Sequence, residues 1–228
     1  MLFSEENVKA NIRNRAGKRV FYLSDRDTLT PSARDWLQKE RIEILPAELA
    51  KPEEYCLQNG AVFREKPEHY THLHGNLLVP KTHPLIAFRG AMDTLQAQLL
   101  LTQETVPPAM RGDVCQILTL ARNILRWEVL AEPARSDKLC GLTADEIRDH
   151  SHHPQNYYGV SHFMPECADG HAMLQLNLAR CAARNAELAA VRAFTDRSNA
   201  CTRPDLLQAL NRMSSMLYIL MIRLKQAK

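Results

Sequence analysis

No apolar run in this sequence approaches the roughly 20 residues a bilayer span needs. The longest near the C-terminus, Met216 to Ile222, is interrupted by Tyr218 and closed by Arg223. The opening residues, Met-Leu-Phe-Ser-Glu-Glu-Asn, have neither the basic start nor the apolar core of a secretory signal. A reducing cytoplasm and free thiols are therefore expected. The six cysteines (56, 115, 140, 167, 181 and 201) include no Cys-x-x-Cys pair, which argues against a zinc knuckle and for structural thiols. Charge of one sign is also missing, with 29 Lys and Arg against 26 Asp and Glu. Without a basic stripe or base-stacking aromatics, neither nucleic acid nor a membrane surface is indicated as a partner. Internal repeats and low-complexity segments are absent too.

What is present suits one main globular domain with a small appendage: 228 residues, 45% apolar and 24% charged. Residues 1–65 form the expected appendage. It has a β-type run from Arg19 to Leu23, a helix capped by Thr30 and begun by Pro31 that runs to about Lys39, and a strand-like Ile42 to Leu45. Pro46, Pro52, Gly60 and Pro67 mark the connection onward. Residues 66–228 form the second domain. Apolar residues at helical spacing predict long helices over Ile86–Glu104, Pro108–Ala131, Gly170–Arg197 and Pro204–Lys225, with a short one at Ala144–His150 behind a Thr143/Glu146 capping box. Amphipathic helices of this length need one another to bury a face. The expected class is mainly α, a bundle of four to five helices with a small N-terminal α/β appendage.

Asn177, Arg180, Arg184 and Glu187 fall on one face of the third long helix, Gly170–Arg197. Taken alone this line reads first as a solvated face stitched by an ion pair between Arg184 and Glu187. The last helix adds Asn211, Ser214, Ser215 and Tyr218 at the same spacing within a strongly apolar stretch, where polar groups need partners. Arginines facing amides and hydroxyls suit an anion pocket, since guanidinium binds phosphate in bidentate geometry; a network that merely fixes helix register is the other reading. The stretch Val79 to Asp93 carries two cations, Lys81 and Arg89, and suits either a phosphate or an ordinary helix start. Nine histidines gather in two groups, 69/72/74/83 and 150/152/153/162/171, at spacings too irregular for a recognised metal site.

Four stretches carry a resemblance to the cobalamin adenosyltransferases of the ethanolamine-utilisation branch, and more distantly to the propanediol-utilisation type. They are Leu29 to Leu37, Val79 to Asp93, Gly141 through Glu166, and Arg203-Pro-Asp-Leu-Leu-Gln-Ala-Leu-Asn-Arg-Met-Ser-Ser215. The resemblance implies transfer of the adenosyl group of ATP to reduced cobalt of cobalamin, in a homotrimer with sites between subunits. It implies an Asp93 to Arg180 pair across the site, Arg184 and Glu187 holding ATP and its Mg²⁺, and further nucleotide contacts from Asn211, Lys81 and Arg89. His162, Phe163 and Met164 fall where the family places an apolar wall beneath cobalt; whether His162 or Phe163 meets the corrin stays open. A cob(II)alamin reductase and ethanolamine ammonia-lyase are the implied partners, in the cytoplasm or a bacterial microcompartment.

Departures accompany the match. The usual Arg-Arg-Ala-Glu-Arg reads Arg184-Asn-Ala-Glu-Leu188, and where some relatives carry a His and Cys-Cys-x-x-Cys cluster this chain has only Cys56. Activity without a bound transition metal is therefore expected. The competing reading is a non-catalytic corrinoid-binding chaperone or scaffold on the same bundle.

Overall fold

Thr30 starts a helix as its sequence predicts: its side chain accepts the Ala33 N–H at 3.3 Å while Pro31 opens the first turn. In the computed structural model, which describes every residue except 16, 51–53, 136–137 and 228, this helix belongs to a first unit, Met1–Ile86. Pro52, one of the expected linker markers, lies outside the described residues. The unit begins with β1 (Leu2–Phe3), α1 (Glu5–Ala10), β2 (Arg13–Arg15), β3 (Lys18–Leu23), β4 (Thr28–Leu29), α2 (Pro31–Lys39) and β5 (Glu43–Pro46). β3 and β5 run parallel on either side of α2, so the predicted run, helix and strand form a β-α-β crossover. Val8, Phe21, Ala33, Leu37 and Ile42 make its core.

Four further strands complete the unit: β6 (Tyr55–Leu57), β7 (Val62–Phe63), β8 (Tyr70–His74) and β9 (Leu77–Pro80), ordered β7-β6-β9-β8. β8 and β9 thus lie with the first unit, beyond the boundary expected at residue 65. The turn between them explains its own sequence. Gly75 sits at φ +57°, and a Cβ there would lie 1.9 Å from the Ile12 carbonyl oxygen. The next residue, buried Asn76, accepts the Asn14 N–H at 2.6 Å and donates to the Asn14 and Glu54 carbonyls at 2.8 and 2.7 Å. One side chain ties three segments together.

The second unit, Ala87–Lys228, is helical. It contains most of α3 (Pro84–Thr105), then α4 (Arg111–Val129), α5 (Ala144–His152), α6 (Pro154–Tyr158), α7 (His171–Phe194) and α8 (Pro204–Gln226). The chain is mainly α, and among the described residues no helix is long and apolar enough to cross a membrane. Several elements depart from the periodicity, three of them, α4, α7 and α6, for evident local reasons. The first turn expected of α4 is a 3-10 turn at 108–110, and its far end is closed by Ala131 at φ +53°. α7 stops at Phe194 because Asp196 Oδ1 accepts from the Ser198 and Ala200 N–H groups at 2.8 and 3.0 Å, closing a polar turn. α6, too short for a periodic signal, begins at Pro154 and ends at left-handed Gly159.

α8 is the centre of this unit, packing along α7 and against α4, α5 and α6. From Met216 to Ile222 only Tyr218 is not fully buried, so the apolar run is core. α7 meets it with a stripe of alanines, 179, 183, 186 and 190, all at 0% exposure. Such small side chains allow the two helix backbones to approach closely.

Candidate active site

α7 and α8 pack antiparallel, with Glu187 hydrogen-bonded to Asn211 at 3.0 Å. In that register Arg184 comes level with Ser214 and Arg180 with Tyr218, and these four residues line one cavity of about 510 Å³. That volume is within the range of small-molecule sites. The cavity is also walled by His162, Phe163, Met164 and Pro165 from the segment preceding α7, and by Ser151 and His152 from α5. Five predicted residues, Arg180, Arg184, His162, Phe163 and Met164, therefore meet in one place.

The lining holds two guanidinium groups and no carboxylate. Arg180 is half-buried and donates from Nε and Nη2 to Asn177 Oδ1 at 3.1 and 2.9 Å, a neutral partner that orients the fork without cancelling its charge. Arg184 is exposed and has no hydrogen bond or ion pair among the described residues. Such a surface attracts an anion with several acceptor oxygens. The apolar side differs: Met164 is 80% exposed, and Phe163 carries Lys225 Nζ 4.2 Å from its ring centroid.

Local chemistry explains how α5 delivers its end to the cavity. Thr143 and Glu146 form the predicted capping box, and the hydrogen bonds from Thr143 hold the Glu146 carboxyl below its usual range. At the other end His150 stacks on Tyr157, ring centroids 3.7 Å apart, and its Nδ1 meets Tyr158 Oη at 2.8 Å. Tyr157 donates to Asp149, and His153 Nδ1 bonds the same carboxylate at 2.9 Å; the Tyr157 hydroxyl first, then His153, lowers the Asp149 pKa. These histidines lock the α5–α6 corner. In the first unit His72 packs on Tyr55, His69 on Tyr70, and His83 Nδ1 accepts the Leu85 N–H. Among the described residues no three His, Cys, Asp or Glu side chains converge as a metal site.

The remaining predicted residues lie elsewhere. Glu187 and Asn211 stand on the same helix pair, about a turn from the cavity arginines. Asp93 is exposed on α3 with no partner among the described residues, and Arg180 is turned to Asn177, so the implied Asp93 to Arg180 pair does not form within the protomer. Arg89 grips Glu128 in a bidentate pair at 2.8 and 2.9 Å, with the carboxylate side chain only 6% exposed. Its fork is engaged in joining α3 to α4. Lys81 belongs to the first unit, exposed just after β9. Asn185 and Leu188, the two departures, are both exposed on α7.

Sequence reasoning did not single out Ser151, His152 or Met221 as lining residues. His152 had a signal in the His-x-His-His run, while Ser151 and Met221 had none, because only tertiary packing brings α5 beside α8.

Residues 61–224 match the family model described as Cobalamin adenosyltransferase. The corrinoid adenosyltransferase EutT of Salmonella typhimurium strain LT2 is 30% identical, over 96% of this chain and 90% of that protein. The corrinoid adenosyltransferase EutT of Escherichia coli strain K12 is 29% identical with the same coverage.

Proposed function

We infer the reaction of this chain from the family to which it belongs, the cobalamin adenosyltransferases. The protein transfers the 5′-deoxyadenosyl group of ATP to the reduced cobalt of a corrinoid, yielding adenosylcorrinoid and triphosphate. The observation that carries this reading is the cavity itself: two guanidinium groups and no carboxylate on one side, an apolar segment on the other.

The chemistry divides the labour. Cobalt(I) of the substrate corrinoid is the nucleophile; it attacks the ribose C5′, a cobalt–carbon bond forms, the C5′–O bond breaks, and its electron pair leaves on the triphosphate. Cobalt ends two units more oxidised. The protein need supply no nucleophile, only alignment, a dry site and stabilisation of the departing anion. Arg184, exposed and unpaired among the described residues, is assigned the leaving triphosphate, and Arg180 the neighbouring charge. Glu187 offers a carboxylate oriented by Asn211, which fits Mg²⁺, an ion that takes one or two carboxylates together with phosphates and water. Bound there, Mg²⁺ would neutralise phosphate charge. No role is given to a transition metal.

Further parts of the reading are proposals on the family's pattern. The chain works as a homotrimer of helical bundles with sites between subunits, where Asp93 of a neighbouring protomer faces Arg180 and Lys81 reaches the nucleotide. The α/β appendage, the reductase supplying cobalt(I), service to ethanolamine ammonia-lyase, and location in the cytoplasm or a microcompartment belong to the same proposal.

The test is direct. Mixing the protein with ATP, Mg²⁺ and chemically reduced cobalamin is expected to give the visible spectrum of a light-sensitive alkylcobalt product. Corrinoid bound without product would favour the scaffold reading instead. Stoichiometric iron or zinc in chelator-washed protein would overturn the assignment of no transition metal.

A further inference from the structure

Tyr218 is the polar interruption in the buried run of α8, and its hydroxyl touches two groups of the cavity wall. It lies 3.3 Å from the Phe163 N–H and 3.1 Å from His162 Nδ1. A backbone N–H can only donate, so the tyrosine oxygen accepts there, and its single proton is then free to point at His162 Nδ1. With Nδ1 accepting, the ring proton sits on Nε2, which is 3.1 Å from the His152 carbonyl oxygen. That carbonyl belongs to the last residue of α5, where helix geometry leaves carbonyls without an intrahelical partner. Donors and acceptors match along the whole line: Phe163 N–H to Tyr218, Tyr218 O–H to His162, His162 Nε2–H to His152. The His162 and Tyr218 rings are also nearly parallel, 9° apart with centroids separated by 5.9 Å.

Resting on the corrinoid reading above, we propose that Tyr218 is a positioning residue: its hydroxyl fixes the 162–163 segment against the cavity and keeps both His162 nitrogens occupied, so that this histidine cannot ligate the cobalt of a bound corrinoid. An imidazole beside a corrin is otherwise a ready axial ligand, because neutral imidazole nitrogen binds cobalt well. Donation from such a ligand would stabilise the oxidised metal and oppose formation of cobalt(I). The network turns a potential ligand into a plain wall.

Tyr218→Phe keeps the ring and removes the hydroxyl. Nitrogen NMR of the ligand-free protein labelled at histidine is expected to show the Nε2–H tautomer for His162, and Tyr218→Phe is expected to lose that preference. The opposite tautomer, or shifts unchanged by the substitution, would overturn the network. Electron paramagnetic resonance with ATP, Mg²⁺ and cob(II)inamide, a corrinoid without its own lower base, gives the second readout. Wild type should show no nitrogen splitting, Tyr218→Phe should gain it, and Tyr218→Phe combined with His162→Ala should lose it again. Splitting in wild type that His162→Ala removes, or a Tyr218→Phe spectrum identical to wild type, sinks the proposal. Turnover of Tyr218→Phe should fall about fivefold at unchanged KM for ATP, the scale of one neutral hydrogen bond. If no corrinoid binds at all, the assigned reaction fails, and the NMR result still decides the role of Tyr218.

Discussion

Asn211 stands between an anion and a cation: its Nδ2 donates to Glu187 Oε1 at 3.0 Å while its Oδ1 accepts from Arg212 Nη1 at 2.6 Å. The amide presents nitrogen to the carboxylate and oxygen to the guanidinium, which no carboxylate or apolar side chain reproduces. Asn211→Ala is expected to raise KM for ATP about tenfold, the worth of one hydrogen bond to a charged group. A KM equal to wild type in steady-state assays would detach this pair from the nucleotide.

Arg184→Ala should reduce kcat by at least roughly tenfold through loss of one electrostatic contact to the leaving anion. Arg184→Lys should recover only part of it, since a point charge lacks the planar fork. Single-turnover rates followed at the alkylcobalt absorbance measure both.

Arg89 is predicted to act through stability. Arg89→Met strands the nearly buried Glu128 carboxylate and should cost about 3 kcal/mol in denaturant unfolding. Its KM for ATP, measured on folded protein, should stay at the wild-type value; a large rise with unaltered stability would restore the nucleotide role.

Asp205 gives a pH signature. Its carboxylate receives Arg203 Nε and Nη2 at 3.0 and 2.9 Å, and the Arg203 guanidinium pulls its pKa from 3.8 down to about 2. A depressed acid stabilises the fold fully above its unfolded pKa and loses that contribution as pH falls from about 4 to 2. Asp205→Asn should therefore be less stable than wild type by about 1–2 kcal/mol at pH 7, a figure discounted for partial exposure, with the gap closing toward pH 2. Equilibrium unfolding of both proteins across that range is the check.

The helices of the second unit other than α6 were legible because their signals are local. Apolar periodicity, the Thr143/Glu146 box and Pro204 each act within a turn or two. The β-α-β crossover was legible for the same reason, through Thr30 and Pro31. β6 to β9 were not, since their pairing depends on Gly75 and Asn76 meeting a segment 62 residues earlier. The polar faces of α7 and α8 could be read as a candidate anion pocket but not told from a register-fixing network, because the antiparallel register that sets Arg184 beside Ser214 is fixed by packing. Arg89 shows the opposite limit: a cation near the expected nucleotide loop looks free in sequence, and only the fold supplies Glu128.

The alanine stripe of α7 sets a mechanical tolerance on the cavity beside it. Alanines 179, 183, 186 and 190 act as a spacer of minimum thickness, so the distance from Arg180 and Arg184 to Tyr218 is decided by side chains that touch no reactant. Thickening the spacer, as Ala183→Leu would, must wedge the two helices apart or distort their rotamers. Under the proposed reaction, a misplacement of about 1 Å in the groups that align the reactants lowers the rate on the order of a hundredfold. Four alanines thereby act as the gauge to which the spacing of that cavity's two helical walls is set.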